Sequence, residues 1–322
     1  MKNIISQRRS LFPVCCFLIC IALVITEYVF SIAPPQKNLS TFESDIRVER
    51  DVDYLGLGRN EKLDIYYPSG PKPADGYPAV IVIHGGGFWT GDKGDEREQQ
   101  IAKTVASAGY FAVSINYKLA SKKDSREEAF PQNIYDCKKA VMWLKNESDR
   151  YGINKNLIGA VGGSAGGWLS LCLGFTSGDP GFDPADAVDT RINAVVNLYG
   201  STDLVWYARK HGDLDKKKEE ELKKFSPTYW VTSNSPPVLT IHATNDKIVD
   251  IGHAYQLDKA MKKYNVSHEL IVIEGGRHSF RLLSELGDFR DEVVRFLDNY
   301  LKCKENNAIH SDKESIRADS SR

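Results

Sequence analysis

Ser164 lies in the run Gly162-Gly163-Ser164-Ala165-Gly166-Gly167, which fits the pattern G-x-S-x-G. A serine in that setting becomes an exposed nucleophile if the chain turns sharply from a strand into a helix at that point. Glycine at 162 and 166 suits such a turn, because a side chain at either position would clash across it. The N–H groups opening the following helix would favour a developing negative charge beside the hydroxyl. The competing reading is a Gly-rich strand-to-helix turn that binds phosphate, or nothing.

A second run, His84-Gly85-Gly86-Gly87-Phe88, leaves three successive backbone N–H groups unobstructed. Gly86 and Gly87, with the N–H of Ala165, would form an oxyanion hole. His84 is expected to hold this loop by hydrogen bonds, with a catalytic role as the alternative. Phe88, Trp89 and Trp168 flank the loop and the serine; they form an apolar or sugar-stacking wall for substrate, or they pack the core.

Two later loops supply a base and an acid. Ala243-Thr244-Asn245-Asp246-Lys247-Ile248-Val249 carries Asp246, and Glu274-Gly275-Gly276-Arg277-His278-Ser279-Phe280 carries His278. An imidazole titrates near neutrality, so His278 can take the Ser164 proton and return it to a leaving group. Asp246 would fix the imidazole tautomer and stabilise its charged form. Asp250 and Glu274 are rival acids. His242 and His253 read as a packed strand-end residue and a helix-start residue. No cluster of carboxylates or cysteines accompanies them at metal-binding spacing, and no motif calls for a cofactor.

These groups can meet only if particular elements deliver them. Short apolar, β-branched runs at Ala79–Ile83, Tyr110–Tyr117, Leu157–Val161, Ile192–Leu198, Val238–His242 and Leu270–Ile273 predict buried strands, after two early ones at Ile46–Tyr54 and Lys62–Tyr67. Helical spacing predicts helices at Ile101–Ala108, Gln132–Asn146, Ala165–Phe175, His253–Lys263 and Asp288–Leu301. This alternation implies crossover connections and a mostly parallel sheet of about eight strands with helices on both faces. Active-site loops then gather at the C-terminal strand ends. Two insertions interrupt the rhythm. Gly178–Thr190, with Asp179, Asp183, Asp186 and Asp189, is expected to be a solvated loop; a calcium site is the alternative, but the spacing is not that of an EF-hand. Leu214–Lys224 is a mixed-charge helical run, either a small cap over the site or a surface helix.

Composition narrows the function. Of 322 residues, 42 are basic and 43 acidic, so there is no basic footprint for nucleic acid. Lys2, Arg8 and Arg9 precede the uncharged stretch Leu11–Ile25, which reads as a secretory signal or, extended to Ala33, as an uncleaved membrane anchor. Cys15, Cys16 and Cys20 belong to that stretch; Cys137, Cys172 and Cys303 make no disulfide framework and are expected as core thiols. Lys304–Arg322 is polar and aperiodic, a disordered tail by composition. The expected organisation is therefore a signal or anchor over 1–33, one catalytic domain over 34–303 and a tail over 304–322.

The loop His84–Phe88, the elbow Gly162–Gly167, Asp246 and His278, in that chain order, resemble the α/β-hydrolase fold. More narrowly they resemble esterases and lipases related to hormone-sensitive lipase and to bacterial feruloyl/acetyl-xylan esterase-like proteins. The resemblance runs from about Ile46 to Leu301. Gly163 stands where hormone-sensitive lipases usually carry Asp, and Asn245-Asp246-Lys247-Ile248-Val249 replaces their Asp-Pro-Leu-x-Asp-Glu stretch. The resemblance implies a serine carboxylic-ester hydrolase acting on short-acyl or carbohydrate esters through an acyl-enzyme, and the N-terminal stretch would make it exported or membrane-anchored. An amidase, peptidase or arylformamidase on the same triad, and a non-catalytic binding protein on this fold, are the alternatives.

Overall fold

The structure, a computed structural model, describes residues 46–212 and 214–302. The expected signal or anchor, Cys303 and the tail lie outside the described residues. Among the described residues, no helix is long and apolar enough to cross a membrane.

Eight strands form one sheet in the order β1-β2-β4-β3-β5-β6-β7-β8. They are β1 (Val48–Val52), β2 (Leu63–Tyr66), β3 (Tyr77–Ile83), β4 (Phe111–Ile115), β5 (Ile153–Gly163), β6 (Ala194–Leu198), β7 (Val238–Ala243) and β8 (His268–Ile273). The β1–β2 and β2–β4 pairs are antiparallel; every other pair is parallel. The central strands are buried and mostly apolar because helices cover both faces, with Ser114, Asn197, Thr240 and His242 as buried polar exceptions. On one face pack α2 (Gln132–Asn146), α3 (Ala165–Phe175) and α6 (Gly252–Lys263), through residues such as Ile134, Leu169 and Leu257. On the other pack α1 (Glu96–Ser107) and α7 (Arg290–Leu301), through Ile101, Val105, Val293 and Phe296. The edge strands β1 and β8 are only part-buried.

Parallel register brings the motifs together. Ile83 pairs with Gly162, Gly163 with Leu198, and Ala243 with Ile273. The chain therefore leaves β3, β5, β7 and β8 at the same edge of the sheet, carrying the His84 loop, Ser164, Asp246 and His278 respectively.

Several boundaries differ from expectation for physical reasons. Helix α1 starts at Glu96 rather than Ile101, and its polar first turn buries Glu98, which accepts from Arg97 Nε at 2.8 Å. Strand β5 begins at Ile153, four positions early, where Tyr77 pairs with it ahead of a register shift. Between β6 and β7 the inserted segment holds two helices, α4 (Leu204–Lys210) and α5 (Lys216–Lys223). Asp203 caps α4 by accepting from Trp206 N at 2.7 Å, and Asp215 caps α5 by accepting from Lys218 N at 2.8 Å. Only α5 follows from the charge pattern, whose Glu219–Lys223 pair closes at 3.2 Å. A two-stranded hairpin, β9 (Leu283–Ser284) with β10 (Gly287–Asp288), is also unforeseen.

The Gly178–Thr190 segment is not simply solvated. Asp183 pairs with Lys138 Nζ, a side chain with no exposed surface, which also donates to Thr176 O at 2.7 Å. Asp183 further accepts from Gly178 N at 2.7 Å and Thr190 Oγ1 at 2.9 Å. The loop is stapled to α2 through a buried ammonium. Removing one partner of such a pair strands the other in a poorly solvated place, so Lys138→Met is expected to cost about 3 kcal/mol. Urea unfolding of the two proteins measures it, and an unchanged midpoint would refute it.

Candidate active site

Strand β5 ends at Gly163 and α3 begins at Ala165, so Ser164 is the whole turn between them. It takes φ 57° and ψ −118°, a region costly for any side-chain-bearing residue. Its N–H donates to Leu198 O at 2.9 Å and its carbonyl accepts from Trp168 N at 3.1 Å. The flanking glycines make the crossing possible. A Cβ on Gly162 would lie 2.2 Å from Gly166 O, and one on Gly166 would lie 2.0 Å from Ile83 O.

Ser164 Oγ lies 2.9 Å from His278 Nε2, and His278 Nδ1 lies 2.6 Å from Asp246 Oδ2. Asp246 has no exposed side-chain surface. Its Oδ1 accepts from Ile248 N at 2.8 Å and Val249 N at 2.9 Å. Burial alone would raise its pKa. The hydrogen bonds from His242, His278, Val249 and Ile248 outweigh burial and hold the carboxyl well below the usual carboxylate range. An ionised Asp246 requires a proton on His278 Nδ1, which leaves Nε2 bare to accept from the Ser164 hydroxyl. The expected nucleophile, base and acid thus stand in one chain of hydrogen bonds. Of the rival acids, Asp250 accepts from Lys210 Nζ and Gly252 N, and Glu274 is exposed and accepts from Thr244 Oγ1.

His84 is fully buried and stacks on Tyr117 at 4.3 Å. Its Nδ1 donates to Gly85 O at 2.7 Å, and Tyr117 Oη donates to His84 O at 3.0 Å. These contacts hold the loop, as expected, and leave His84 no part in the proton chain. Gly86, Gly87 and Ala165 donate their N–H groups to no acceptor among the described residues. His242 and His253 are buried. His253 Nδ1 accepts from Thr202 N at 3.2 Å and Asp203 N at 3.0 Å, tying α6 to the start of α4. Cys137 and Cys172 are buried free thiols.

The aromatic wall needs one correction. Trp168 is only 2% exposed and donates Nε1–H to Phe225 O at 2.9 Å, so it is a core side chain that presents no face to a substrate. Phe88 is half-buried between Phe130, at 5.1 Å, and Trp168, at 5.6 Å; Trp89 is exposed. Phe225, directly after α5, packs on Phe130 at 5.8 Å, so the inserted segment joins the aromatic cluster behind the glycine loop. A cleft of about 670 Å³ lies there, lined by Phe130, Phe182, Phe225, Tyr229 and Trp230. A larger cleft of about 820 Å³, lined by Asn156, Asn193 and Pro236, lies towards the opposite strand ends and contains none of the triad residues.

Sequence reasoning missed Tyr199. It follows β6 with φ 44°, sets its ring edge-on to His278 at 5.0 Å, and donates its hydroxyl to Phe280 O at 3.0 Å. It braces the base from below. Nothing local in Leu198-Tyr199-Gly200 signals that contact, which spans 81 positions to Phe280.

This eight-stranded, mostly parallel sheet, with a strand–turn–helix at Ser164, has the α/β-hydrolase fold. The chain belongs to the BD-FAE family, whose model matches residues 63–261. It is similar to a probable carboxylic ester hydrolase, LipM, of Mycobacterium tuberculosis, at 28% identity over 74% of this chain. It spans 58% of that relative, little more than half its length. It is also similar to an ethyl acetate hydrolase of Pseudomonas putida, at 26% identity over 76% of this chain and 80% of the relative. Among solved structures, a truncated carbohydrate esterase from gut microbiota superposes with a TM-score of 0.66 at 23% identity, covering 79% of this chain and 95% of that one.

Burial pushes the imidazoles of His84 and His253 down from 6.5 to about 4. Above pH 6.5 they are neutral whether the chain is folded or not. Between 6.5 and 4 the unfolded chain takes up protons that the folded one refuses, so stability must fall as pH falls through that window. Asp246 acts oppositely in origin: its stabilisation is complete above the ordinary carboxylate value and is lost only at lower pH, towards its depressed pKa. Melting temperatures are therefore expected to drop steadily from pH 7 to 4.5, with a shallower slope in His253→Gln; equal slopes would refute the assignment to His253.

Proposed function

We propose that the protein is a serine carboxylic-ester hydrolase working through an acyl-enzyme intermediate. The observation that carries this reading is the continuous chain Ser164 Oγ–His278 Nε2–Asp246 Oδ2, closed at 2.9 and 2.6 Å on a strained elbow at a helix N-terminus. Ser164 Oγ attacks the ester carbonyl carbon while its proton passes to His278 Nε2. The carbonyl oxygen becomes an oxyanion facing the N–H groups of Gly86, Gly87 and Ala165. Such a donor is typically worth about 3–4 kcal/mol at the transition state. Collapse breaks the ester C–O bond, and the alcohol leaves with the proton from His278. Water then gives a proton to His278 and attacks the acyl carbon; Ser164 departs with that proton, releasing the carboxylic acid.

The names of the ester-hydrolase relatives support the reaction class. Short-acyl or carbohydrate esters are the substrates proposed, with support from the ethyl acetate hydrolase and the carbohydrate esterase. Phe88 and Trp89, on the glycine loop, would wall the acyl or sugar group, and the buried Trp168 packs against Phe88.

Two measurements test this. Ser164→Ala should lower kcat by at least about a thousandfold while keeping the fold, and should abolish fluorophosphonate labelling. Retained turnover would mean the nucleophile is another residue. A panel of short-chain esters, isosteric amides and acetylated glycans should show ester cleavage well ahead of amide cleavage. Brisk amide turnover would favour the amidase reading, and no acetate release from glycans would remove the carbohydrate assignment.

A further inference from the structure

We propose that His242 is a positioning residue for the acid of the triad, a second imidazole that shares the Asp246 carboxylate with His278. This rests on the triad reading above but concerns a residue that the reaction does not touch. His242 lies on β7, which is hydrogen-bonded to β6 on one side and β8 on the other, and its own partner in the register is Val272. Its backbone therefore belongs to the interior of the sheet, whereas Asp246 lies on the loop beyond it. The His242 side chain has no exposed surface.

The geometry connects the two. His242 Nε2 is 2.9 Å from Val249 O and 3.3 Å from Asp246 Oδ2. A carbonyl oxygen only accepts, so Nε2 carries the proton, with Val249 O as its principal acceptor and the carboxylate alongside. Nδ1 is buried without a partner, so a proton there would be an unbonded N–H on a buried cation. The bonded proton of the ring is therefore the one on Nε2. The same Val249 gives its N–H to Asp246 Oδ1 at 2.9 Å. His242, Val249 and Asp246 close a ring that fastens a loop carboxylate to the sheet.

The consequence is directional. His278 Nδ1 binds Oδ2, so any rotation of the carboxylate swings the imidazole relative to Ser164 Oγ. His242 restrains that rotation at Oδ2, while the backbone N–H groups of Ile248 and Val249 hold Oδ1. Loss of the restraint should misplace the base during catalysis while leaving substrate binding almost untouched. Misplacements on this scale cost roughly ten- to a hundredfold in rate.

The test compares full-length wild type with His242→Gln, His242→Asn and His242→Leu on one short-chain ester. A Gln amide nitrogen can reach the Nε2 position; an Asn amide falls short and Leu has no donor. The expected kcat order is wild type, then Gln within a few-fold, then Asn and Leu lower by about tenfold or more, with KM held within about twofold. The Gln–Asn comparison decides the matter even if the Leu variant does not fold. Equal kcat in Gln and Asn, or a loss expressed only in KM, overturns the proposal. Fluorophosphonate labelling of wild-type Ser164 separates the two failures: without labelling, the hydrolase reading falls; with labelling and an indifferent position 242, only this inference falls.

Discussion

The structure turns on one close approach. The first turn of α3 passes so near the end of β3 that a methyl group on Gly166 would sit 2.0 Å from Ile83 O. That contact forces Ser164 into a positive-φ conformation and sets the helix N-terminus beside the glycine loop leaving β3. A looser packing would relax the serine and separate Ala165 from Gly86 and Gly87. The strain at one residue is sustained by a buried strand–helix unit on both sides of it, which is why it persists. Parallel register then brings the remaining groups to the same edge: Ala243 faces Ile273, and the loops carrying Asp246 and His278 depart at equal height.

Charge is disposed economically around this frame. The acid is removed from solvent yet kept ionised by hydrogen bonds converging from His242, His278 and two backbone N–H groups. The other buried imidazoles nearby, His84 and His253, have their pKa values lowered by burial, and each bonds backbone groups through Nδ1. Elsewhere a buried ammonium, Lys138, is neutralised by Asp183, and the insertion that supplies the aspartate is pinned to the core.

Much of the fold was legible because its signals are local. Gln132–Asn146 and Ala165–Phe175 are helices over the expected residues, and the six short apolar runs are strands. What escaped was coded largely by distant partners. The polar turn opening α1 holds its place because Glu96 pairs with Arg281, 185 positions away. Helix α4 depends on Asp203 capping and on Trp206 packing so tightly that a Cβ on Gly252 would lie 2.0 Å from its ring. Trp168, beside the nucleophile in sequence, faces the core because its indole N–H finds Phe225 O 57 positions away.

By itself, then, the chain determined the strand–turn–helix around Ser164 and the parallel α/β architecture, and offered Ser164, Asp246 and His278 as candidates. Each of these follows from side-chain type and short-range spacing. Only the tertiary structure decided which aspartate meets His278, that Tyr199 braces it, that His242 lies against Asp246 and that Trp168 is withdrawn. Those are contacts between side chains far apart in the chain, and their distances depend on how sheet, helices and insertion pack together.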